Sequence, residues 1–214
     1  WIGDANYSLF KWTPKVSCDS IPFNGPYSNS VFEMKSMGNQ LWVAPGGYSM
    51  TWAKNWMKDG VFCYSNYEWH NLNASNIEAL DTISDIVTIA IDPINNSKVY
   101  AGSYHKGILE FQDFKLKNIY DDKNSSLSKL KDYDFVYVTG MDFDSRNNLW
   151  IANSGVEKML SVKTNKDEWF SFNIGTSNTS NLMIDHNDYK WILCRDGSII
   201  VFNDNRTIYD SYDD

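Results

Sequence analysis

The sequence predicts an all-β fold, a segment of a β-propeller made of four-stranded antiparallel blades, about four and a half of them, on three observations. Aromatic residues make up 15% of the 214-residue chain, and together with β-branched residues they favour pleated, half-buried strands. Short apolar runs alternate with polar residues and end in turn-forming clusters. The same strand–turn–strand unit returns every 40 to 60 residues, which is the period of a propeller blade.

The units align on one aromatic position. "VFEMKSMGNQLWVAP", "VTIAIDPINNSKVYAG", "VTGMDFDSRNNLWIAN" and "SNLMIDHNDYKWILC" place Trp42, Tyr100, Trp150 and Trp191 in register. The opening "WIGD" supplies a fifth, Trp1, without its preceding strand, and the successive spacings are 41, 58, 50 and 41 residues. The expected blades cover 1–29, 30–83, 84–135, 136–179 and 180–214. In each, an apolar alternating strand comes first, with Val87, Ile89 and Ile91 expected on one face. A polar turn and the aromatic strand follow. A Gly-containing loop then leads to "GVFCY", "GILEF" or "GSIIVF", and a more polar strand closes the unit: "EWHNL", "LKNIY", "EWFSF" and "RTIYD". Four and a half blades do not close a ring, and soluble proteins avoid open edges. The missing blades are therefore expected in the parent chain, or another chain covers the edge. "WIGD", with neither Met nor signal peptide, fits a piece cut from a longer precursor.

Asp144 and Asp185 stand six residues before their Trp, Ser36 takes that place before Trp42, and Asp92 stands eight before Tyr100. Short polar side chains of this kind hydrogen-bond hairpin turns. A calcium loop in "DFDSRNN" is disfavoured by Arg146 at a ligand position and by the missing Gly.

Net charge is −8 without a basic block, which argues against nucleic acid. No run of apolar residues is long enough to span a membrane as a helix. Cys18, Cys63 and Cys194 form no CxxC pair, so no structural zinc is expected. A disulfide 18–63 or 63–194 stays open beside buried free thiols. His70, His105 and His186 fall in different blades, and no GxSxG, HExxH or phosphate loop occurs. Acidic pairs such as Asp121–Asp122 and Asp213–Asp214 sit in polar loops. No metal, cofactor or enzyme activity is expected; a lyase-type site would need His105 beside a carboxylate.

The motifs "NLWIAN" and "WIGD" resemble the propeller repeats of two-component regulators in hybrid sensor kinases. The ordered set "APGGYSMTWAKNWMKDGVFCYSNYEWHNLN", "ISDIVTIAIDPINNSKVYAGSYHKGILEF", "NNLWIANSGVEKML" and "DYKWILCRDGSIIVFNDN" resembles the PorZ-like propellers of type IX secretion along nearly the whole chain. This resemblance implies a non-enzymatic, surface-exposed component of an outer-membrane attachment complex. Such a protein would work with other secretion proteins, among them a sortase-like partner and a barrel-associated shuttle protein, and bind anionic lipopolysaccharide. The remaining blades and a C-terminal sorting domain of that family have no counterpart here, so the chain stands for a portion of such a protein. The regulator resemblance implies instead a periplasmic ligand-sensing propeller. "DSI" at Asp19 and "DTI" at Asp81 match the O-glycosylation pattern of bacteria carrying this secretion system.

The candidate ligand site lies in the loops that join second to third strands, which share one propeller face. The longest is "APGGYSMTWAKNWMKD"; its counterparts hold Tyr104 and His105, Asn153, and Arg195. The segment "DDKNSSLSKLKDYD" should reach the same face. Tyr48, Trp52, Trp56, Tyr104, His105 and Arg195 are thus the candidate binding residues. Aromatic faces suit sugars or protein hot spots, and Arg195 suits a phosphate or carboxylate. Alternatively, Trp52 and Trp56, four apart, pack from one face of a short helix, and Arg195 forms a salt bridge within "CRDG".

Overall fold

The computed structural model describes residues 2–4, 8–13, 17–21, 24–175 and 178–209. Within them the chain is an all-β partial propeller. Strands β1 (Ile2–Asp4), β2 (Ser8–Thr13) and β3 (Ser17–Ile21) form one antiparallel sheet. The next sheet runs β4 (Glu33–Met37), β5 (Gln40–Ala44), β6 (Val61–Ser65) and β7 (Glu68–Leu72). A 3-10 turn, Glu78–Thr82, leads to β8 (Ile86–Ile91), β9 (Lys98–His105), β10 (Gly107–Gln112) and β11 (Lys115–Tyr120). Then come β12 (Val136–Phe143), β13 (Leu149–Ser154), β14 (Leu160–Lys163) and β15 (Trp169–Phe172). The last sheet holds β16 (Thr179–Ile184), β17 (Lys190–Cys194) and β18 (Ile199–Phe202). No described helix is long and apolar enough to cross a membrane.

Alternation assigns each strand's residues to two different joints. Ile89 and Ile91 join Val99, Ala101 and Trp42 in the cluster between the β4–β7 and β8–β11 sheets. Ala90 and Tyr100 point the other way, into the cluster shared with Val138, Leu149 and Ile151. Trp150 and Ala152 meet Leu182, Ile192 and Phe202 in the third. Val87 does not share the face of Ile89, as the plain alternation expects. A register shift between Ile86 and Thr88 inserts one residue, so Ile86 takes that face instead. Shifts recur between Val138 and Gly140 in β12 and between Thr179 and Asn181 in β16. Gly140 permits the close approach there, since a Cβ would stand 2.3 Å from Leu182 N. A bulge adds twist and bends the strand.

The aspartates build turns and also hold the aromatic position. Asp144 accepts from the N–H groups of Arg146 and Asn148, and its Oδ2 accepts from Trp150 Nε1 at 3.0 Å. Asp185 repeats this with Asn187, Tyr189 and Trp191, again at 3.0 Å from the indole. Asp92 bonds the N–H groups of Ile94 and Asn95. Where Ser36 is too short to reach, Trp42 Nε1 donates to Gln40 instead, at 2.8 Å.

One further expectation changes, and one open alternative closes. "RTIYD" does not form a fourth strand among the described residues. Asn205 and Arg206 take φ of 42 and 66, which turns the chain, and Ile208 then inserts into the last core cluster. Cys63 and Cys194 are both free and buried, so neither proposed disulfide forms; burial pushes the Cys63 thiol up to about 12. Trp1, Asp213, Asp214 and the side chains of Cys18 and Asp19 lie outside what the structure describes.

Candidate functional site

The long loop after β5 is placed by a Gly, a Ser and an Asp. Gly46 lies directly on β8 and donates its N–H to Ile86 O at 2.8 Å; a Cβ there would stand 2.4 Å from Ile86 N. Ser49 closes a turn in which Trp52 N donates to Ser49 O at 2.9 Å and Ser49 N to Ala53 O at 2.8 Å. Ser49 Oγ also accepts from Ala53 N at 3.1 Å, and Tyr48 bridges to Lys54. The stretch is a miniature hairpin, not the short helix considered from sequence. Trp52 and Trp56 sit at φ of 62 and 60, a region closed to right-handed helices. The hydroxyl of Ser49 offers the backbone a non-helical partner. Asp85 does the same, accepting from Trp56 N at 2.9 Å and Met57 N at 3.0 Å.

Asp85 also ties the loop to β9, since its carbonyl accepts from Tyr104 N at 2.7 Å. Burial raises its carboxyl above the ordinary value, against the N–H bonds that lower it. Tyr104 is fully buried, which corrects its assignment as a ligand contact. Its hydroxyl donates to Trp52 O at 3.0 Å and accepts from Arg195 Nη2. Tyr104 therefore positions Arg195 and the loop.

The Arg195 guanidinium lies 4.8 Å from the Trp52 ring centre. No described carboxylate pairs with it, and its buried Nε has no hydrogen-bond partner. The alternative salt bridge within "CRDG" does not form, because the Asp196 carboxylate accepts from Ser198 N and Oγ at 2.9 and 2.7 Å. Trp52, Asn178, Arg195 and Asp196 line an open recess of about 390 Å³.

Trp56 and His105 form a second group beside the first, with ring centres 5.2 Å apart. Trp56 is 56% exposed. Lys54 Nζ lies 3.8 Å over its ring, and burial lowers that amine to about 8. Burial first, then Lys54 and Lys106, lowers His105 to about 4, so its ring is neutral at pH 7. Its Nδ1 lies 3.1 Å from Ser84 Oγ, and no described carboxylate hydrogen-bonds it. Among the described residues no three His, Cys, Asp or Glu side chains come close enough to hold a metal.

The likeness to known proteins is structural. No family model and no curated protein matches the sequence. PorZ, an essential bacterial surface component of the type IX secretion system of Porphyromonas gingivalis, aligns with a TM-score of 0.78 and 23% identity, over 92% of this chain. The fold is that of a PorZ-like propeller. The extracellular domain of the putative one-component system BT4673 of B. thetaiotaomicron aligns at 0.60 with 16% identity over 90% of this chain. The WD40 propeller of Doa1 aligns at 0.57 with 10% identity over 85%, and over 53% of its own chain. This chain spans 28% of PorZ and 22% of the BT4673 domain.

In this chain Tyr48, Trp52, Trp56, Tyr104 and His105 connect in one aromatic cluster on which Arg195 lies, partly through further aromatic residues. Tyr104 stacks on Tyr137 at 4.0 Å, Tyr137 on Phe135 at 6.1 Å, and Phe135 on Tyr133 at 5.5 Å. Phe135 also meets His105 at 5.3 Å. The signal was present in "DYDFVYV", whose aromatics alternate with the strand period. Asn153 holds that segment in place, accepting from Ser128 N at 2.7 Å and donating to Tyr137 O at 3.1 Å.

Proposed function

We propose that this chain is a non-enzymatic, ligand-binding propeller segment of an extracytoplasmic protein. Its ligand is an anionic glycan of the lipopolysaccharide class, held in the recess at Arg195. The observation that carries this reading is a guanidinium seated on an indole, oriented by a buried tyrosine and lacking any carboxylate partner among the described residues. Charged groups of a ligand gain most from such an unspent fork of donors. Trp52 offers the sugar ring an apolar face, and the Asp196 carboxylate, at the rim, can accept from sugar hydroxyls. On the PorZ-like reading the protein sits at the cell surface or outer membrane and meets other secretion attachment-complex proteins through the exposed Trp56 and Tyr133.

Titration with an acidic polysaccharide, followed by Trp fluorescence, tests the site. Arg195→Ala is expected to weaken binding at least tenfold, while a neutral polysaccharide of the same backbone binds both forms alike. Unchanged affinity in a folded Arg195→Ala variant removes the recess from the reading. Trp56→Ala, outside the recess, is expected to leave the glycan affinity intact.

The likeness to BT4673 favours a second reading, a periplasmic sensing propeller. A membrane-spanning helix followed by kinase domains in the parent gene would decide for it; a sorting domain would decide for the first.

A further inference from the structure

One charged atom at the candidate face is buried without a partner. Lys54 Nζ is shut off from solvent and has no hydrogen-bond partner among the described residues. It lies 3.8 Å from the Trp56 ring centre and 2.8 Å from that of Phe135, and His105 completes the enclosure. The three ring centres stand 5.2, 5.3 and 6.1 Å apart, with planes crossing at 75°, 62° and 77°. Rings inclined so steeply wall a box instead of stacking. Trp56 and Phe135 turn their faces to the ammonium, the side of an aromatic ring that attracts a cation. Asp85 favours a positive charge at this point, while Lys106 opposes it.

The box suits a cation, but Lys54 is a poor one for it. A primary ammonium carries three donors and no acceptor, and the rings leave all of them unbonded. Stranding a charged donor is costly, and burial accordingly lowers this amine to about 8. A quaternary ammonium spreads its charge over methyl groups and has no N–H to strand, so ring faces alone satisfy it. Trp56 is the wall that must swing out to admit the larger head, and it is the exposed one, on the loop. Phe135 is braced, stacked on both Tyr133 and Tyr137.

We propose that Trp56, Phe135 and His105 form a binding site for quaternary ammonium groups of the choline class, and that Lys54 fills it as an internal stopper until such a group displaces it. The site shares no residue with the lining of the Arg195 recess, and the inference does not rest on the glycan reading.

Calorimetric titration of the full chain with tetramethylammonium chloride, against sodium chloride at equal ionic strength, tests the site. Lys54→Ala is expected to bind at least tenfold more tightly than the unsubstituted protein, because the stopper is gone. Adding Trp56→Ala to that variant is expected to abolish binding. Equal affinity with and without Lys54 overturns the proposal. Equal binding of the neutral carbon isostere of choline also overturns it, since apolar filling then explains the signal. A second measurement needs no substitution. Acylation of the Lys54 amine, read by peptide mass, is expected to run several-fold faster in saturating tetramethylammonium, while the exposed Lys58 keeps its rate. An unchanged Lys54 rate overturns the proposal. Free choline and phosphatidylcholine vesicles then separate the sources. Capture of the vesicles assigns a lipid headgroup, binding of free choline alone assigns a solute, and binding of neither overturns the proposal.

Discussion

At the scale of single residues, Asp85 and His105 carry the sharpest consequences. Asp85 holds two loop N–H groups with its carboxylate and Tyr104 with its carbonyl. Asp85→Ala leaves the two part-buried loop N–H groups of Trp56 and Met57 without their acceptor while the backbone carbonyl still holds Tyr104, which costs about 1–3 kcal/mol. Urea unfolding should show that loss, and limited proteolysis should cut first near Trp52. His105 is neutral when folded because burial depresses its pKa to about 4, whereas the unfolded ring titrates near ~6.5. The unfolded state therefore binds more protons between these values, and its share of stability is lost as pH falls through that window. Raised carboxyls such as Asp85 and Glu33 push the other way. The diagnostic is a difference: His105→Gln should flatten the fall in Tm between pH 6.5 and 4 relative to the parent. The link from Asp144 and Asp185 to their Trp was legible as a six-residue spacing, because both partners lie in one hairpin. Asp85 was not legible, since its partners are 28 and 29 residues away.

At the scale of elements, turn chemistry is where local preference and packing compete. The β6–β7 turn places Asn66 and Tyr67 at φ of 52 and 66, and the β10–β11 turn places Asp113 and Phe114 at 50 and 61. Bulky residues avoid that region. Tyr67 is 92% exposed and has no packing to offset the strain, so Tyr67→Gly is expected to leave stability unchanged or raise it by up to about 1 kcal/mol. Phe114 stacks on Trp42 at 5.7 Å and on His70 at 4.2 Å. Phe114→Gly should cost about 3 kcal/mol or more, in the range of large core truncations. Thermal or urea unfolding of the pair separates turn strain from core packing. Strand positions were readable because alternation is a local pattern. The bulge that moves Ile86 onto the core face was not, since it does not depart from the residue pattern of its neighbours; the turn at Asn205 and Arg206 is written in "NDN", but not that Ile208 then packs into the core in place of a fourth strand.

At the scale of the whole molecule, the joint between the last two sheets carries a buried ionic cluster beside its apolar core. Lys190 is fully buried, with its ammonium on Asp204 and 4.1 Å from the Trp150 ring centre. Arg146, from the preceding sheet's hairpin, reaches the same carboxylate. Burial is the largest influence on Asp204 and pushes its pKa up, but the bonds from Lys190 and Arg146 together outweigh it and hold the carboxyl below its usual range. Asp204→Ala strands a buried cation and should cost about 3–5 kcal/mol. Replacing Lys190 and Asp204 together by Met and Leu should recover most of that loss in the same urea titration, since a well-packed apolar pair escapes the desolvation cost. By itself the sequence determined the repeat: the aromatic register, the alternating strands and the aspartate-built turns. Each of these is written in residues a few positions apart. Only the tertiary structure decided how the loops meet. Arg195 and the Tyr104 hydroxyl are 91 residues apart, and Tyr104 reaches Trp52 O across 52. No local pattern encodes such pairs; stacking one sheet on the next brings their loop ends to a common face.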